Sequence, residues 1–408
     1  MVLAFIPINM LFSPVFDFFI VQNRGINWTV TMSAYAFVLT SMPLLAVSVT
    51  YLKSRPEKIF FRCMIGFFLY AFPFSIYMAS DLFYPIYGLL SALGSTLVGV
   101  LFYVSVRNNT VNPKSVVYSL VFSSIFVMIP LLLVQINTER FAQLSEAVGA
   151  ASLLYGYENP RAVGWVSTFS LSLLTAYLST QPRGSSVRPI FLVLVTISAM
   201  TLFWSGSRGG LFAFAVSIFI VFSLSKTKNY TGTLLVLLCL AVGGIASLFL
   251  HLPSEAFGMF SRISQNLEQG SIFAASSGRI ILWQTTISYI IERPFTGYGY
   301  LPHKNLVGFS YGSAHNIILD FWLSFGVIVG TITILIGVVF WVMALSFFRK
   351  ANDQYISALF CSVTTLLVYS MVSGPYARTF PLLLFAIGSG VLLGLRSLKA
   401  GWRIRYDQ

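Results

Sequence analysis

SAHNIILDFWLSFGVIVGTITILIGVVFWVMAL (residues 313–345) decides the fold class of this chain. After Asp320 the stretch carries no charged residue. A helix of about 20 apolar residues crosses the hydrocarbon core of a bilayer, so this run predicts a transmembrane helix. Because the run is too long for one simple crossing, we expect its first turns to lie at the membrane interface before the helix descends.

Similar apolar runs recur along all 408 residues, of which 57% are hydrophobic and 9% charged. Soluble domains carry about 25% charged residues. Since the short alternating strands of a membrane β-barrel are missing from the sequence, we predict an all-α polytopic membrane protein that forms a single integral membrane domain over 1–408. The twelve expected spans are 3–21, 30–51, 59–79, 83–105, 115–136, 163–180, 189–206, 209–225, 231–250, 314–345, 355–373 and 381–395.

Basic residues predict the orientation of these spans. Most Lys and Arg residues lie in alternate loops, which the positive-inside rule assigns to the cytoplasm together with both termini. This distribution also explains the net charge of +13 without a nucleic-acid partner. The cysteines are three and dispersed, at Cys63, Cys239 and Cys361, which argues against a disulfide framework or a metal site.

Two long loops lie on the opposite, outer face. In the loop 137–162, apolar residues recur at helical spacing from Phe141 to Leu154, which predicts an amphipathic helix on the membrane surface. In the loop 251–313, a second helical pattern runs from Ile281 and is closed by Pro294. Loops of this length inside a membrane protein are usually functional.

Three outer-face cations stand where helices begin. Arg208 lies at the break between two spans, in SGSRGG. Arg279 is placed in the first turn of a helix capped by one of the serines 276–277, and His315 in the first turn of a helix capped by Ser313. A cation is disfavoured at the positive end of a helix dipole, but a bound anion reverses this preference. The pattern therefore predicts a phosphate site at the outer face.

His315 adds a proton acceptor to this site. A neutral imidazole, with a reference pKa of about 6.5, can accept the proton of an attacking hydroxyl. Asn316 follows it directly, and Asp320, about one turn further on, either orients a ring nitrogen of His315 or caps the interface. Carboxylates are scattered on this face, so we expect neither a metal ion nor a cofactor.

Three stretches carry a family pattern. SGSRGGLFAFAVSIFIVF, SSGRIILWQTTISYIIERPFTGYGY and SAHNIILDFWLSFGVIVG resemble, in this order, the bacterial O-antigen ligase and O-antigen polymerase superfamily. GYENPRAVGWVSTFSLSLL (156–174) resembles the segment before the sixth span of its members.

The resemblance implies a GT-C-like fold and a glycosyltransferase of the bacterial inner membrane. The donor would be a glycan on undecaprenyl pyrophosphate, and the acceptor, on the periplasmic side, lipid A-core or another glycan; membrane lipids would surround both. By motif, Arg208 and Arg279 match the pyrophosphate-binding arginines and His315 matches the catalytic histidine. Arg161 is a weaker match for a substrate contact, and no metal is required.

Other functions remain open at this point. Ligase and polymerase share the motifs, and we favour the ligase because the two outer loops are moderate in size. A twelve-span transporter is the alternative from another class, although transporter sites tend to lie at broken helices near the midplane. A flippase for the same lipid-linked glycan would need arginines along a central cavity.

Overall fold

The structure is a computed structural model. It describes residues 55–78, 83–136, 160–181, 188–250, 258–261, 263–264, 279–300, 302, 306, 313–351, 353–374 and 379–406. Within these ranges the secondary structure is helical and contains no strand, which confirms the all-α prediction for the described part of the chain. The amphipathic helix expected within 137–162 lies outside the described residues, as do the first two expected spans.

The described residues form eleven helices. They are α1 (Arg55–Met78), α2 (Phe83–Arg107), α3 (Pro113–Ile136), α4 (Pro160–Thr180), α5 (Arg188–Trp204), α6 (Arg208–Leu224), α7 (Tyr230–Ser247), α8 (Arg279–Glu292), α9 (Ile317–Lys350), α10 (Gln354–Ser370) and α11 (Thr379–Tyr406). Each expected span from 59–79 onward coincides with one of them. Within the described ranges, four helices have the length and apolar composition to cross a membrane: Gly88–Arg107, Tyr230–Ser247, Ile317–Lys350 and Pro381–Lys399. The total of twelve spans and the single integral membrane domain stay predictions.

The described residues fall into two compact units. The first takes its residues from 111–270 and 345–369, and the second from 30–110, 271–344 and 370–408. In the first unit α4 is central, because α3, α5, α6 and α7 all pack against it. Every residue from 163 to 181 is buried. Five Ser and Thr hydroxyls of α4 donate to the carbonyl four residues back in their own helix, so these buried polar groups are satisfied without water.

In the second unit α2 packs against α11 through glycines. A Cβ on Gly99 would come within 2.9 Å of the Ala386 carbonyl oxygen, and the backbone of Gly390 directly contacts that of Gly99. The spacing of Gly390 and Gly394 predicts close helix packing, within one chain or between two. The structure shows that this packing occurs within the chain.

Helix α9 is broken at Gly326, whose backbone angles are φ 75° and ψ 166°. A straight helix over Ile317–Lys350 would be about 50 Å long, against a hydrocarbon core of about 30 Å. The sequence correctly indicates that this run is too long for one simple crossing. The structure shows how it is divided: a short segment before Gly326 and a long one after it.

The break in α9 is filled by the turn that follows α8. Helix α8 ends at Glu292, as the closing proline at 294 predicts. The next residues, 294–300, pack into the break. In a continuous helix the backbone groups of α9 would bond to one another, whereas at the break they bond to this turn. Three backbone hydrogen bonds join them: Tyr298 N to Leu323 O (2.9 Å), Gly299 N to Ser324 O (2.9 Å) and Val327 N to Pro294 O (2.7 Å). Both sides of the break are therefore bonded to this turn.

Candidate functional site

His315 lies two residues before the start of α9 in a left-handed backbone conformation, with φ 56°. Positive φ is uncommon for residues other than glycine, although histidine is among those that tolerate it better. Residues held in such conformations are costly and cluster at functional sites. The described part of the chain has one other non-glycine residue of this kind, Asn109.

The start of α9 differs from the prediction. Asn316, not Ser313, caps the helix, because its side-chain oxygen accepts from Ile318 N at 3.0 Å and Leu319 N at 3.3 Å. His315 consequently precedes the helix and does not belong to its first turn. The Ser313 hydroxyl accepts from His315 N at 3.3 Å and lies 3.3 Å from Nδ1 of the same residue. The predicted cap is wrong, and Ser313 instead shapes the turn that carries the imidazole.

Ala314 is held at both of its backbone groups. Its N–H donates to Oδ1 of Asp320 at 2.8 Å, and its carbonyl accepts from the indole Nε1 of Trp283 at 2.9 Å. Asp320 is 4% exposed and Ala314 fully buried. Asp320 was predicted to orient the ring or to cap the interface, and both roles stay predictions. In the structure its carboxylate also fixes the backbone one residue before His315.

Arg279 is the first residue of α8, as predicted, while the serines 276–277 lie outside the described residues. Trp283 stands four residues later and therefore on the same helix face. Because Trp283 bonds to Ala314, this face of α8 is turned toward the His315 segment. Within the second unit the structure thus brings the helix start that carries Arg279 to the turn that carries His315.

Gly374 closes the other side of the same turn. A Cβ at this position would lie 2.7 Å from the Ser313 hydroxyl and 3.5 Å from Nδ1 of His315. Sequence reasoning missed both Gly374 and the bond from Trp283. The indole had a sequence signal, since Trp283 follows Arg279 by one helical turn within the helical pattern that begins at Ile281. Gly374 had none.

Arg208 is the first residue of α6 in the first unit. The preceding residue, Ser207 (φ −80°, ψ 80°), forms an inverse γ-turn in which Arg208 N donates to the Gly206 carbonyl at 3.0 Å. Ser207 does not cap its helix with its side chain. Its hydroxyl instead shares a short hydrogen bond with the hydroxyl of Tyr369 on α10. The predicted break at Arg208 is confirmed, and Tyr369 is a partner that the sequence did not indicate.

Arg161 is the second residue of α4, and its side chain lies outside the described atoms. One turn later, Gly164 packs against Ser207: a Cβ on Gly164 would lie 2.6 Å from the Ser207 hydroxyl. The first turns of α4 and α6 are therefore adjacent. The first unit accordingly holds the positions of Arg161 and Arg208 close together, while Arg279, His315, Asn316 and Asp320 belong to the second unit.

Tyr298 is a titratable group on the turn that fills the α9 break. Burial, and after it the hydrogen bond that its hydroxyl donates to Glu292 at 2.9 Å, raise the pKa of Tyr298 to about 12. Both effects disfavour the phenolate, since one withholds solvent and the other places a carboxylate beside it. Tyr298 therefore stays protonated at neutral pH and does not serve as a general base there.

Comparisons with known proteins agree with this placement of the motifs. A family model described as O-Antigen ligase matches residues 192–334, a segment that contains Arg208, Arg279 and His315. A General O-oligosaccharyltransferase of Acinetobacter baylyi is 26% identical over 157 residues, which cover 34% of this chain. The matched part spans about a quarter (26%) of the length of that relative. The resemblance indicated by the three motifs is thus confirmed for residues 192–334, which match the O-Antigen ligase family model.

Proposed function

We propose that this protein is an O-antigen ligase that transfers a glycan from undecaprenyl pyrophosphate to lipid A-core on the periplasmic face of the inner membrane. The observation that carries the proposal is the strained turn of His315, joined by Trp283 to the helix that begins with Arg279. Both lie in the segment that the O-Antigen ligase family model matches. The reaction would be independent of metal and would proceed with inversion at the anomeric carbon.

The proposed base is Nε2 of His315. In the tautomer in which Nδ1 donates to the Ser313 hydroxyl, 3.3 Å away, Nε2 is the basic nitrogen of the ring. It accepts the proton of the acceptor hydroxyl while the hydroxyl oxygen forms a bond to the anomeric carbon. The bond from that carbon to the pyrophosphate oxygen breaks, and its electron pair leaves with undecaprenyl pyrophosphate. Arg208 and Arg279 would stabilise the charge that grows on this leaving group.

Replacing Arg279 by Lys tests the mode of phosphate binding. A guanidinium binds phosphate through two parallel N–H donors, whereas an ammonium acts as a point charge. We expect Arg279→Lys to lower kcat/KM by about 10- to 100-fold, since hydrogen bonds to charged groups contribute about 1.5–3 kcal/mol. Arg293→Lys is the matched control, because Arg293 lies at the other end of α8 and stacks on Tyr298 at 4.7 Å. Full activity of Arg279→Lys would mean that charge alone suffices.

A second candidate acceptor follows from the comparison. The relative from Acinetobacter baylyi is an O-oligosaccharyltransferase by name. The same base and the same pyrophosphate contacts would serve an acceptor hydroxyl outside the lipid A-core. In this second proposal the donor is unchanged and only the acceptor differs.

Deleting the gene and running the surface glycolipid on a gel tests the proposal. A ligase predicts lipid A-core without attached polymer, together with accumulated lipid-linked polymer. Core that carries one repeat unit would identify a polymerase instead. An unchanged glycolipid ladder would exclude both, and glycoprotein staining of the same strain would then decide whether the second candidate holds or a transport function has to be considered.

A further inference from the structure

The peptide group between Ala314 and His315 is fixed at both ends. Its carbonyl oxygen accepts from Nε1 of Trp283 at 2.9 Å, and its N–H donates to the hydroxyl of Ser313 at 3.3 Å. The orientation of this peptide plane fixes the backbone on the N-terminal side of His315, whose own conformation is left-handed. A non-glycine residue keeps such a conformation only where its surroundings over-determine it.

Of these two contacts, one comes from within the turn and one from outside it. Ser313 belongs to the same turn and moves with it. Trp283 belongs to α8, a separate helix whose residues Leu282, Thr286 and Ile290 are buried. The indole is therefore an external support of the turn.

We propose that Trp283 is a positioning residue for the transfer reaction: its indole N–H holds the His315 turn in register with the helix start that carries Arg279. The inference rests on the proposed function, in which Arg279 binds the donor and His315 activates the acceptor. Arg279 and Trp283 lie one turn apart on the same face of α8. Contacts on this face therefore fix the position of His315, the base, relative to the end of α8 that binds the donor.

Removing the N–H should separate donor binding from catalysis. In Trp283→Phe the aromatic ring remains, and so does the α8 surface around Arg279, so the KM for the donor should stay within about twofold. The turn that carries the base, however, loses its hydrogen bond to α8, and displacements near 1 Å in an active site cost up to about 100-fold in rate. We expect kcat to fall by about 10- to 100-fold. A role confined to folding would lower the yield of protein without this split between kcat and KM.

Trp322→Phe is the matched control. The Trp322 indole Nε1 donates to the Thr331 hydroxyl at 3.0 Å, and Trp322 is half-buried like Trp283. The control therefore loses the same kind of hydrogen bond within the same unit but not at the His315 turn. Both variants are assayed as full chains in lipid nanodiscs, with lipid-linked glycan extracted from the deletion strain as donor. We expect the control to retain its kcat within about twofold.

Chemical modification of histidine gives a readout that needs no substrate. Diethylpyrocarbonate acylates neutral imidazole, and mass spectrometry separates the three histidines, so His251 and His303 serve as internal references. Release of the turn in Trp283→Phe should change the rate at His315 at least threefold relative to the references, and Trp322→Phe should not. An unchanged ratio in Trp283→Phe overturns the inference. A rise in the KM for the donor by the same factor as the fall in kcat also overturns it.

The two readouts distinguish this inference from the proposed function. If His315→Ala retains transfer, the proposed base is wrong, and the modification ratio alone then decides whether Trp283 holds the turn. If Trp283→Phe does not accumulate, benzothienylalanine introduced at position 283 by stop-codon suppression keeps the volume of the indole and removes only its N–H. The same ratio and the same split between kcat and KM are then measured on that protein.

Discussion

His315→Ala is expected to abolish glycan transfer while the protein still accumulates in the membrane. The loss of a general base lowers the rate of a reaction by about 100- to 10,000-fold. The imidazole is half-buried and its Nδ1 faces the Ser313 hydroxyl, so the alanine variant loses the proton acceptor and one contact within the turn. The measurement is transfer from extracted lipid-linked glycan, normalised to the amount of protein in the membrane.

Backbone strain has to be separated from chemistry in this experiment, because alanine tolerates positive φ less well than histidine. His315→Asn provides the separation, since asparagine also tolerates the left-handed region but cannot act as a base at neutral pH. We expect it to be as inactive as the alanine variant. Asn109→Ala places alanine at the other non-glycine position with positive φ among the described residues (φ 57°) and should leave transfer intact. Activity of His315→Asn near that of the unmodified protein would exclude His315 as the base.

Gly326→Ala is expected to cause the largest loss of stability. The backbone angles φ 75° and ψ 166° lie in a region that is essentially restricted to glycine, and they cost an alanine about 1–3 kcal/mol. The new Cβ would also overlap the backbone carbonyl of Phe295, which cannot move without breaking the bonds between the 294–300 turn and α9. Each such bond contributes about 0.5–1.5 kcal/mol. We therefore expect a loss of about 3 kcal/mol or more, measured as a lower Tm of the purified protein and poor accumulation in membranes.

Gly337→Ala is the control in the same helix. A Cβ at Gly337 has no neighbour within 4 Å, and Ala is favoured over Gly in a helix interior by about 0.5–1 kcal/mol. This variant should be as stable as the unmodified protein or slightly more so. Equal Tm values for the two alanine variants would show that the turn and α9 are not packed as described.

Sequence predicted the helices well because their physical signal is local. The length of an apolar run and its closing residues decide where a membrane helix begins and ends, as at Pro294 after α8. The break at Gly326 is different. The apolar run 314–345 was clearly too long for one crossing. The glycine at which the helix breaks, however, depends on contacts with the segment 294–300, and the local sequence pattern does not show these contacts.

At the candidate site, the sequence indicated candidate residues but not how the structure arranges them. Ser313 and Asn316 are both good helix caps, so their residue types alone do not decide between them. The choice is made by tertiary contacts: Asp320 and Trp283 fix Ala314, and the chain then reaches Asn316 in the position to cap α9. The cation at the start of α8, in contrast, needed only the local pattern around Arg279.

The enclosed helix α4 has a consequence for how the protein is made. Its stretch 163–181 is buried and rich in Ser and Thr, so it partitions into lipid less readily than a helix with fewer hydroxyl side chains. Three of the helices that pack against it, α5, α6 and α7, leave the ribosome after it does. We therefore expect α4 to be retained at the translocon until they arrive, so that chains truncated before Leu224 leave it accessible from the aqueous side.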